Sequence, residues 1–360
     1  MRYNEIAMKI ESVASMLDKM TAPGELFERL EGGVVQCRAC AHRCVIKPDG
    51  RGICQVRSNR DGEMRVPWGY VSGLYPDPVE KKPFNHLLPG NLALTFGMLG
   101  CNFHCDFCQN WVTSQTLRDP AASFGAEYIR RITPQQVVDT ALRNGCDLVV
   151  SSYNEPLITS EWAAAIFKLA QATGLRCAYV SNGYATPEAL AYLSPYLTAC
   201  KIDLKTMQDA QYRQCGGKLT HVLDSIQQAH AAGLWVEVVT LVIPGFNDST
   251  QELWDASRFI ASVSMDIPWH VTAYHPDYKR DDPPTSAKKL QEAADIGQEA
   301  GLKYVYAGNL PGRVGSLEDT HCPHCLKVLI KRRGYRVVEN QLAESSTCPY
   351  CGTAVAGVWQ

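Results

Sequence analysis

The sequence predicts an α/β fold: a largely parallel sheet wrapped by helices into a partial barrel of about six strand and helix units. Residues 92–309 alternate short, near-continuous apolar strands with longer amphipathic stretches, and uninterrupted apolar strands joined by helices belong to parallel sheets covered on both faces. Several of the amphipathic stretches open on Ser or Thr and close on Gly, as capped helices do. Eleven of the fifteen cysteines fall into three tight groups, one directly after the first strand and one at each end of the chain. That grouping places sulfur chemistry where a barrel binds its substrates.

At the start, Ile6, Ile10, Val13, Leu17 and Met20 recur at helical spacing over residues 5–20, which reads as a packing face. A cysteine-rich stretch follows, CRACAHRC and then GRGICQVR. Strands are expected at LALTFG (92–97), DLVVSS (147–152), RCAYVS (176–181), ACKIDL (199–204), WVEVVTLVI (235–243), WHVTAY (269–274) and KYVYAG (303–308). Helices such as TPQQVVDTALRNG, SEWAAAIFKLAQATG, TPEALAYLSPYL and LTHVLDSIQQAHAAG fall between them. Beyond Pro311-Gly312 the rhythm stops, and a cysteine-rich tail with strand-like VLIKRR and YRVVEN begins. The expected division is therefore 1–90 for the helix and cysteine-rich segment, 91–312 for the barrel and 313–360 for the tail.

Composition narrows the partners. With 46% hydrophobic and 20% charged residues the chain is an ordinary globular one, and a net charge of -2 supplies no basic field for nucleic acid. The opening MRYNEIAMKI is polar and mixed in charge, and no apolar run reaches the roughly 18 residues of a membrane span. A cytoplasmic protein without nucleic-acid or membrane partners is expected. The odd cysteine count and the lack of a signal peptide argue against a disulfide framework. Cys146, Cys177, Cys200 and Cys215 are scattered and read as packing thiols.

In GCNFHCDFCQN, Cys101, Cys105 and Cys108 lie in a C-x3-C-x2-C pattern at the mouth of the barrel. Three thiolates on a short loop can hold three irons of a 4Fe-4S cube and leave the fourth iron without a protein ligand, as catalytic metal sites keep a position open. This pattern after a first strand, with Phe107 before the last cysteine, resembles the radical S-adenosylmethionine (SAM) superfamily. Together with VSNGY, KIDLK and LVIPGFND it resembles the branch of the pyruvate formate-lyase activating enzymes, over residues 90 to about 280.

The resemblance implies that SAM chelates the open iron. One electron from the reduced cluster then cleaves SAM to methionine and a 5'-deoxyadenosyl radical that abstracts a substrate hydrogen, with the electron drawn from an external low-potential reductant. It implies roles residue by residue. Asn154-Glu155-Pro156 stands where relatives carry a Gly-Gly-Glu segment, so Glu155 is expected to accept from the SAM ammonium; a helix N-cap acid is the less favoured alternative. Ser181-Asn182-Gly183 matches a Thr-Asn-Gly segment beside the methionyl and ribose portions. Val180 stands where activating enzymes can carry Asp, which puts a cation site there in doubt. Asp203 and Lys205, two apart on a strand and so on one face, are expected to order the site and to pair with the SAM carboxylate. Pro244-Gly245 resembles the segment whose backbone approaches the adenine. Of His270 and His275, the latter fits the SAM-side histidine better.

The two C-x2-C knuckles Cys322/Cys325 and Cys348/Cys351 read as a zinc ribbon, a rubredoxin-like iron being the alternative. Cys37, Cys40, Cys44 and Cys54, with His42 and His104 as less favoured ligands, suit a structural zinc, the preferred reading, or a second iron-sulfur cluster; spacing does not choose. The whole layout, with DPVEKKPFNHLLPG before the barrel and YVYAGNLPG after it, resembles the radical SAM component of the AmmeMemoRadiSam system, which implies Memo-like and AMMECR-type partners. The leading expectation is a radical SAM enzyme abstracting hydrogen from a protein, a peptide or a small molecule. A glycyl-radical-enzyme activase is the alternative, and a non-catalytic iron-sulfur or zinc electron carrier or scaffold the contrasting class.

Overall fold

The computed structural model describes residues 13–343 and 345–360. At its centre an edge strand β1 (Gly73–Pro78) runs antiparallel to β2 (Leu92–Gly97). Then β3 (Leu148–Ser151), β4 (Arg176–Ser181), β5 (Ala199–Asp203), β6 (Trp235–Val242), β7 (Trp269–Ala273) and β8 (Val305–Gly308) follow side by side in chain order, each parallel to its neighbour. Among the described residues β1 and β8 do not pair with each other, so the sheet stays open. Each of the seven expected strands is present, and six helical crossovers join them. The crossovers are α1 (Pro134–Arg143), α2 (Ser160–Ala172), α3 (Pro187–Leu193), the pair α4 (Asp209–Cys215) and α5 (Leu219–Ala231), α6 (Thr250–Val263) and α7 (Ala287–Glu299).

Local chemistry accounts for these elements. Every residue of β3 and β7 is buried, as strands covered on both faces require. Thr133 and Gln136 close a capping box on α1, and Thr186, Ser249 and Ser286 accept the N3 amides of α3, α6 and α7. Helix α3 ends before Ser194–Tyr196, where Pro195 stands in a short 3-10 turn. Of the expected opening helix, residues 13–18 are helical, with Val13, Leu17 and Met20 buried; Ile6 and Ile10 lie outside the described residues. Strand β1 carries two prolines, which the unpaired side of an edge strand tolerates, and its GLYPDP sequence lacks the apolar run that marks the other strands. The central sheet thus begins before residue 91.

Residues 21–67 build two small antiparallel sheets, one from Thr21–Pro23, Glu63–Pro67 and Ser58–Arg60, the other from Phe27–Arg29, Val35–Cys37 and Val45–Ile46. A buried ion pair joins them to the barrel. Arg57 donates to both carboxylate oxygens of Glu161 in the first turn of α2, at 2.7 and 2.8 Å, and both side chains are at most 2% exposed. Glu161 also accepts the backbone N–H groups of Glu25 and Leu26. Burial alone would depress the Arg57 guanidinium, but the Glu161 charge more than reverses it; burial likewise raises the Glu161 carboxyl, and Arg57 overrides that, leaving it below its ordinary value. At the other end, Val328–Arg333 and Arg336–Asn340 form a hairpin that pairs with Thr320–His321, and its Leu329 and Ile330 cluster with Tyr304 and Tyr306 from the β8 region.

Removing one partner of such a pair leaves an uncompensated buried charge, which typically costs about 3–5 kcal/mol. Arg57→Met is therefore expected to lower the urea stability of the chain by about that much, whereas Arg29→Met, in an exposed pair with Glu63, shifts it by under about 1 kcal/mol. Equal midpoints for the two variants would contradict the assigned role of the Arg57 pair.

Candidate active site

A cavity of about 740 Å³ opens where the parallel strands end. The loop after β2 supplies Cys101, Cys105, Phe107 and Cys108 to its wall; the ends of β3, β4 and β5 supply Asn154, Glu155, Ser181, Asn182, Asp203 and Lys205. His270 and His275 line it from the β7 side. Eleven of the twelve residues expected from the sequence to form the SAM and cluster site, Cys101, Cys105, Cys108, Phe107, Asn154, Glu155, Ser181, Asn182, Asp203, Lys205 and His275, thus share one cavity. The twelfth, Gly245, is not among the lining residues. An added Cβ there would meet nothing within 4 Å, so the residue is glycine for its backbone: φ is +73°, in a turn where its N–H donates to Asp248 Oδ1 at 2.9 Å.

The cysteine loop is laced to its neighbours. Asn154 Oδ1 accepts the Met98 N–H at 3.0 Å, and Asn182 Nδ2 donates to Asn102 Oδ1 at 2.8 Å. Glu155 is 2% exposed. Its Oε1 accepts from the Leu157 N–H at 3.0 Å and the Ser181 hydroxyl at 2.7 Å, and its Oε2 from the Asn182 N–H at 2.8 Å. Glu155 therefore caps the turn Pro156–Thr159 and also ties β3 to β4. Burial pushes its carboxyl up to about 7, against the pull of those donors. The three thiols of the loop are held protonated too: burial and then the Glu155 charge raise Cys101, and burial and then Cys105 raise Cys108 to about 11. Cys105 is raised first by its hydrogen bond with Cys215 at the end of α4. Cys215, read from sequence as a packing thiol, backs the loop without lining the cavity; Cys146, Cys177 and Cys200 are buried.

Asp203 pairs with Lys205 at 3.2 Å and, through its other oxygen, with Lys201. Burial acts to raise the carboxyl, but the two ammonium groups hold it at about 2. Lys201 was missed, although KIDLK carries it at the same two-residue period that selected Asp203 and Lys205. Lys205 Nζ lies 5.9 Å from the Phe107 ring centroid. The two histidines divide clearly. His270 is committed to a buried carboxylate, Nε2 to Glu237 Oε2 at 2.6 Å, and stacks on Tyr306. His275 is exposed at the rim, its Nε2 3.3 Å from the side-chain nitrogen of Gln109, beside Cys108.

Other lining residues come from segments that sequence reasoning left outside the site. Tyr153 adopts φ +68°, a conformation rare for a bulky side chain; its hydroxyl donates to Asp77 Oδ2 at 3.0 Å and accepts from Lys82 Nζ at 3.1 Å. Glu80, buried beside Arg332 at 3.6 Å, lines the far wall with Tyr335. The C-terminal hairpin is therefore part of the cavity wall.

The tail holds a metal-ready set. Cys322, Cys325, Cys348 and Cys351 place all four sulfurs within 4.8 Å of one another, with Cys322 to Cys351 at 3.5 Å and Cys325 to Cys348 at 3.7 Å. One tetrahedral ion with metal–sulfur bonds of about 2.3 Å sets sulfurs about 3.8 Å apart, so this set fits a single ion. Among the described residues no other group of three or more Cys, His, Asp or Glu meets that spacing. No described helix is long and apolar enough to cross a membrane.

The pattern described as the Radical SAM superfamily matches residues 96–260, the stretch that runs from the end of β2 into α6. Residues 96–260 thus match the radical SAM superfamily, a family that implies a 4Fe-4S cluster and SAM. It is 35% identical over 333 residues to an uncharacterized protein of Methanocaldococcus jannaschii, covering 91% of this chain and 97% of that one. It is 24% identical over 178 residues to the isethionate sulfite-lyase activating enzyme of Nitratidesulfovibrio vulgaris, covering 49% of this chain and 57% of that enzyme. Among solved structures, a radical SAM methyltransferase from Sphaerobacter thermophilus aligns with a TM-score of 0.49 at 14% identity, over 83% of this chain and 80% of that one.

The raised Glu155 carboxyl carries a pH signature. The folded chain holds that proton up to about 7, against an ordinary value of 4.5, so between those values folding takes up a proton and stability falls as pH rises. In the cluster-free protein, wild type is expected to lose roughly 2 kcal/mol more than Glu155→Gln between pH 5 and pH 7.5 by urea unfolding. Parallel pH profiles would show that the carboxyl is not held protonated.

Proposed function

We propose that this chain is a radical SAM enzyme in which Cys101, Cys105 and Cys108 hold three irons of a 4Fe-4S cluster and SAM occupies the fourth. The observation that carries the reading is that three thiols, and not four, face a cavity whose wall also holds the buried Glu155. When bound, the pair supplies one-electron cleavage of SAM and a 5'-deoxyadenosyl radical for hydrogen abstraction. The rest of the work falls to the chain's own side chains. Glu155, already positioned by three donors, accepts the SAM ammonium once deprotonated. Asn154, Ser181 and Asn182 keep the adjoining strand ends in register. Asp203, held ionised between two lysines, leaves Lys205 aimed at the SAM carboxylate; Phe107 and His275 border the cluster loop. The open, singly wound sheet is read as a partial barrel that begins at β1 and runs to residue 312, the tail 313–360 as a zinc ribbon whose hairpin helps enclose the substrate, and the protein as cytoplasmic.

The substrate is read as a peptide or small molecule seated between the cluster loop and the wall formed by Glu80, Arg332 and Tyr335, with Memo-like and AMMECR-type proteins as partners. A second reading, a glycyl-radical activase, draws on the similarity to an isethionate sulfite-lyase activating enzyme. Deuterium passing from a glycine-labelled peptide into 5'-deoxyadenosine would favour the activase. The test of the main reading is anaerobic: reconstituted protein with dithionite and SAM should release 5'-deoxyadenosine. Cys105→Ala should lose at least about a hundredfold in rate because the cluster is gone, while Cys325→Ala should lower the melting temperature of the tail and leave SAM cleavage within a fewfold of wild type. Equal loss in both variants would overturn the division of roles.

A further inference from the structure

We infer that Cys37, Cys40, Cys44 and Cys54 ligate a second iron-sulfur cluster, seated directly against the loop that carries Cys101, Cys105 and Cys108. The backbone brings the four together. The Cys37 N–H donates to the Cys44 carbonyl at 2.9 Å beside the antiparallel pair Val35–Cys37 and Val45–Ile46, and Cys40 lies in the intervening turn. A second turn carries Cys54 to them: the Ile53 N–H points at Cys44 Sγ from 3.5 Å, and a Cβ on Gly52 would lie 3.6 Å from that sulfur. Three of the four are buried, Cys44 is partly so, and none is in a disulfide. Two turns thus bring the four cysteines together.

Sulfur spacing distinguishes the metal. The C-terminal set is drawn in to the separations of one tetrahedral ion, whereas no three of these four come within 4.8 Å of one another, and neither do the three on the catalytic loop. A cluster seats a separate iron under each thiolate and so needs sulfurs set wider than a single ion does. The N-terminal set, like the catalytic loop, is not drawn in to the separations of a single ion, which favours a cluster over zinc there.

Position gives the site a use. Gly100, the residue before Cys101, has φ +96°, and a Cβ there would lie 3.2 Å from the Cys54 carbonyl and 2.9 Å from Val56 Cγ1. His42 Nε2 bonds the Asn102 carbonyl at 3.0 Å, and Arg118 bridges the Phe103 and Ile53 carbonyls. The two ligand-bearing loops are in van der Waals contact. Resting on the radical SAM reading, the second cluster is an electron entry: it gains one electron from an external low-potential one-electron donor and passes that electron to the catalytic cluster, with no atoms transferred.

The test leaves the N-terminal site untouched. The triple variant Cys101→Ala/Cys105→Ala/Cys108→Ala, reconstituted anaerobically with iron and sulfide, is expected to retain about four irons per chain against about eight in wild type. It should also show the Mössbauer doublet of a cluster and a dithionite-reduced electron paramagnetic signal. Adding Cys54→Ala should remove that iron. A triple variant that holds zinc at both terminal sites and no iron would overturn the inference. Because the iron count needs no turnover, it stands even if wild-type protein fails to cleave SAM, which would sink the enzymatic reading instead.

Discussion

The site depends on one buried carboxylate. Glu155 accepts three hydrogen bonds from the ends of two neighbouring parallel strands, and the residues on either side of that junction reach the cysteine loop, Asn154 through Met98 and Asn182 through Asn102. Loops have no sheet ladder to hold them, so side chains must take their backbone groups. Here the same acid that fixes the loop geometry is the one left with a raised proton affinity facing the cavity. Its burial costs stability as the carboxylate forms, and a cationic ligand beside it offsets that cost.

Charge is distributed with similar economy on β5. Lys201, Asp203 and Lys205 share a face by strand alternation, and a single carboxylate between two ammonium groups leaves a surplus positive charge in the cavity. A cation held this way is fixed in direction, since Asp203 restrains it and Phe107 borders it. An anionic ligand group therefore meets an oriented partner and loses little to reorganisation.

The two cysteine-rich ends are joined to the barrel by contacts of different kinds. Arg57 and Glu161 clamp the N-terminal sheets to α2 with a desolvated bidentate pair, which specifies one docking geometry because both charges are uncompensated in any other. The tail docks through an apolar patch on β8 and a polar lattice around Arg332, whose guanidinium donates to the Thr320 hydroxyl and to the Asn85 carbonyl. A tail this small has little core of its own, and the four sulfurs of its knuckles are spaced so that a single bound ion would supply the missing constraint.

Much of the fold was legible locally. Apolar runs such as DLVVSS and WHVTAY mark strands because both faces are covered, and Thr133, Ser249 and Ser286 mark helix starts because orphan amides need acceptors. The cysteine loop was legible because three closely spaced thiols after a strand have few other uses. Strand β1 was hidden by its prolines, and the positive backbone angle of Gly245 has no mark in its neighbours along the chain. Which histidine is free was decided by Glu237, a residue 33 positions from His270, and Tyr153 entered the cavity wall through Asp77 and Lys82, far earlier in the chain. The sequence by itself determined which segments form strands, helices and sulfur sites, since those follow from neighbours along the chain. Only the tertiary structure decided which charges are paired, which thiols lie close enough for one ion, and which distant segments wall the cavity, because those depend on distances that folding alone creates.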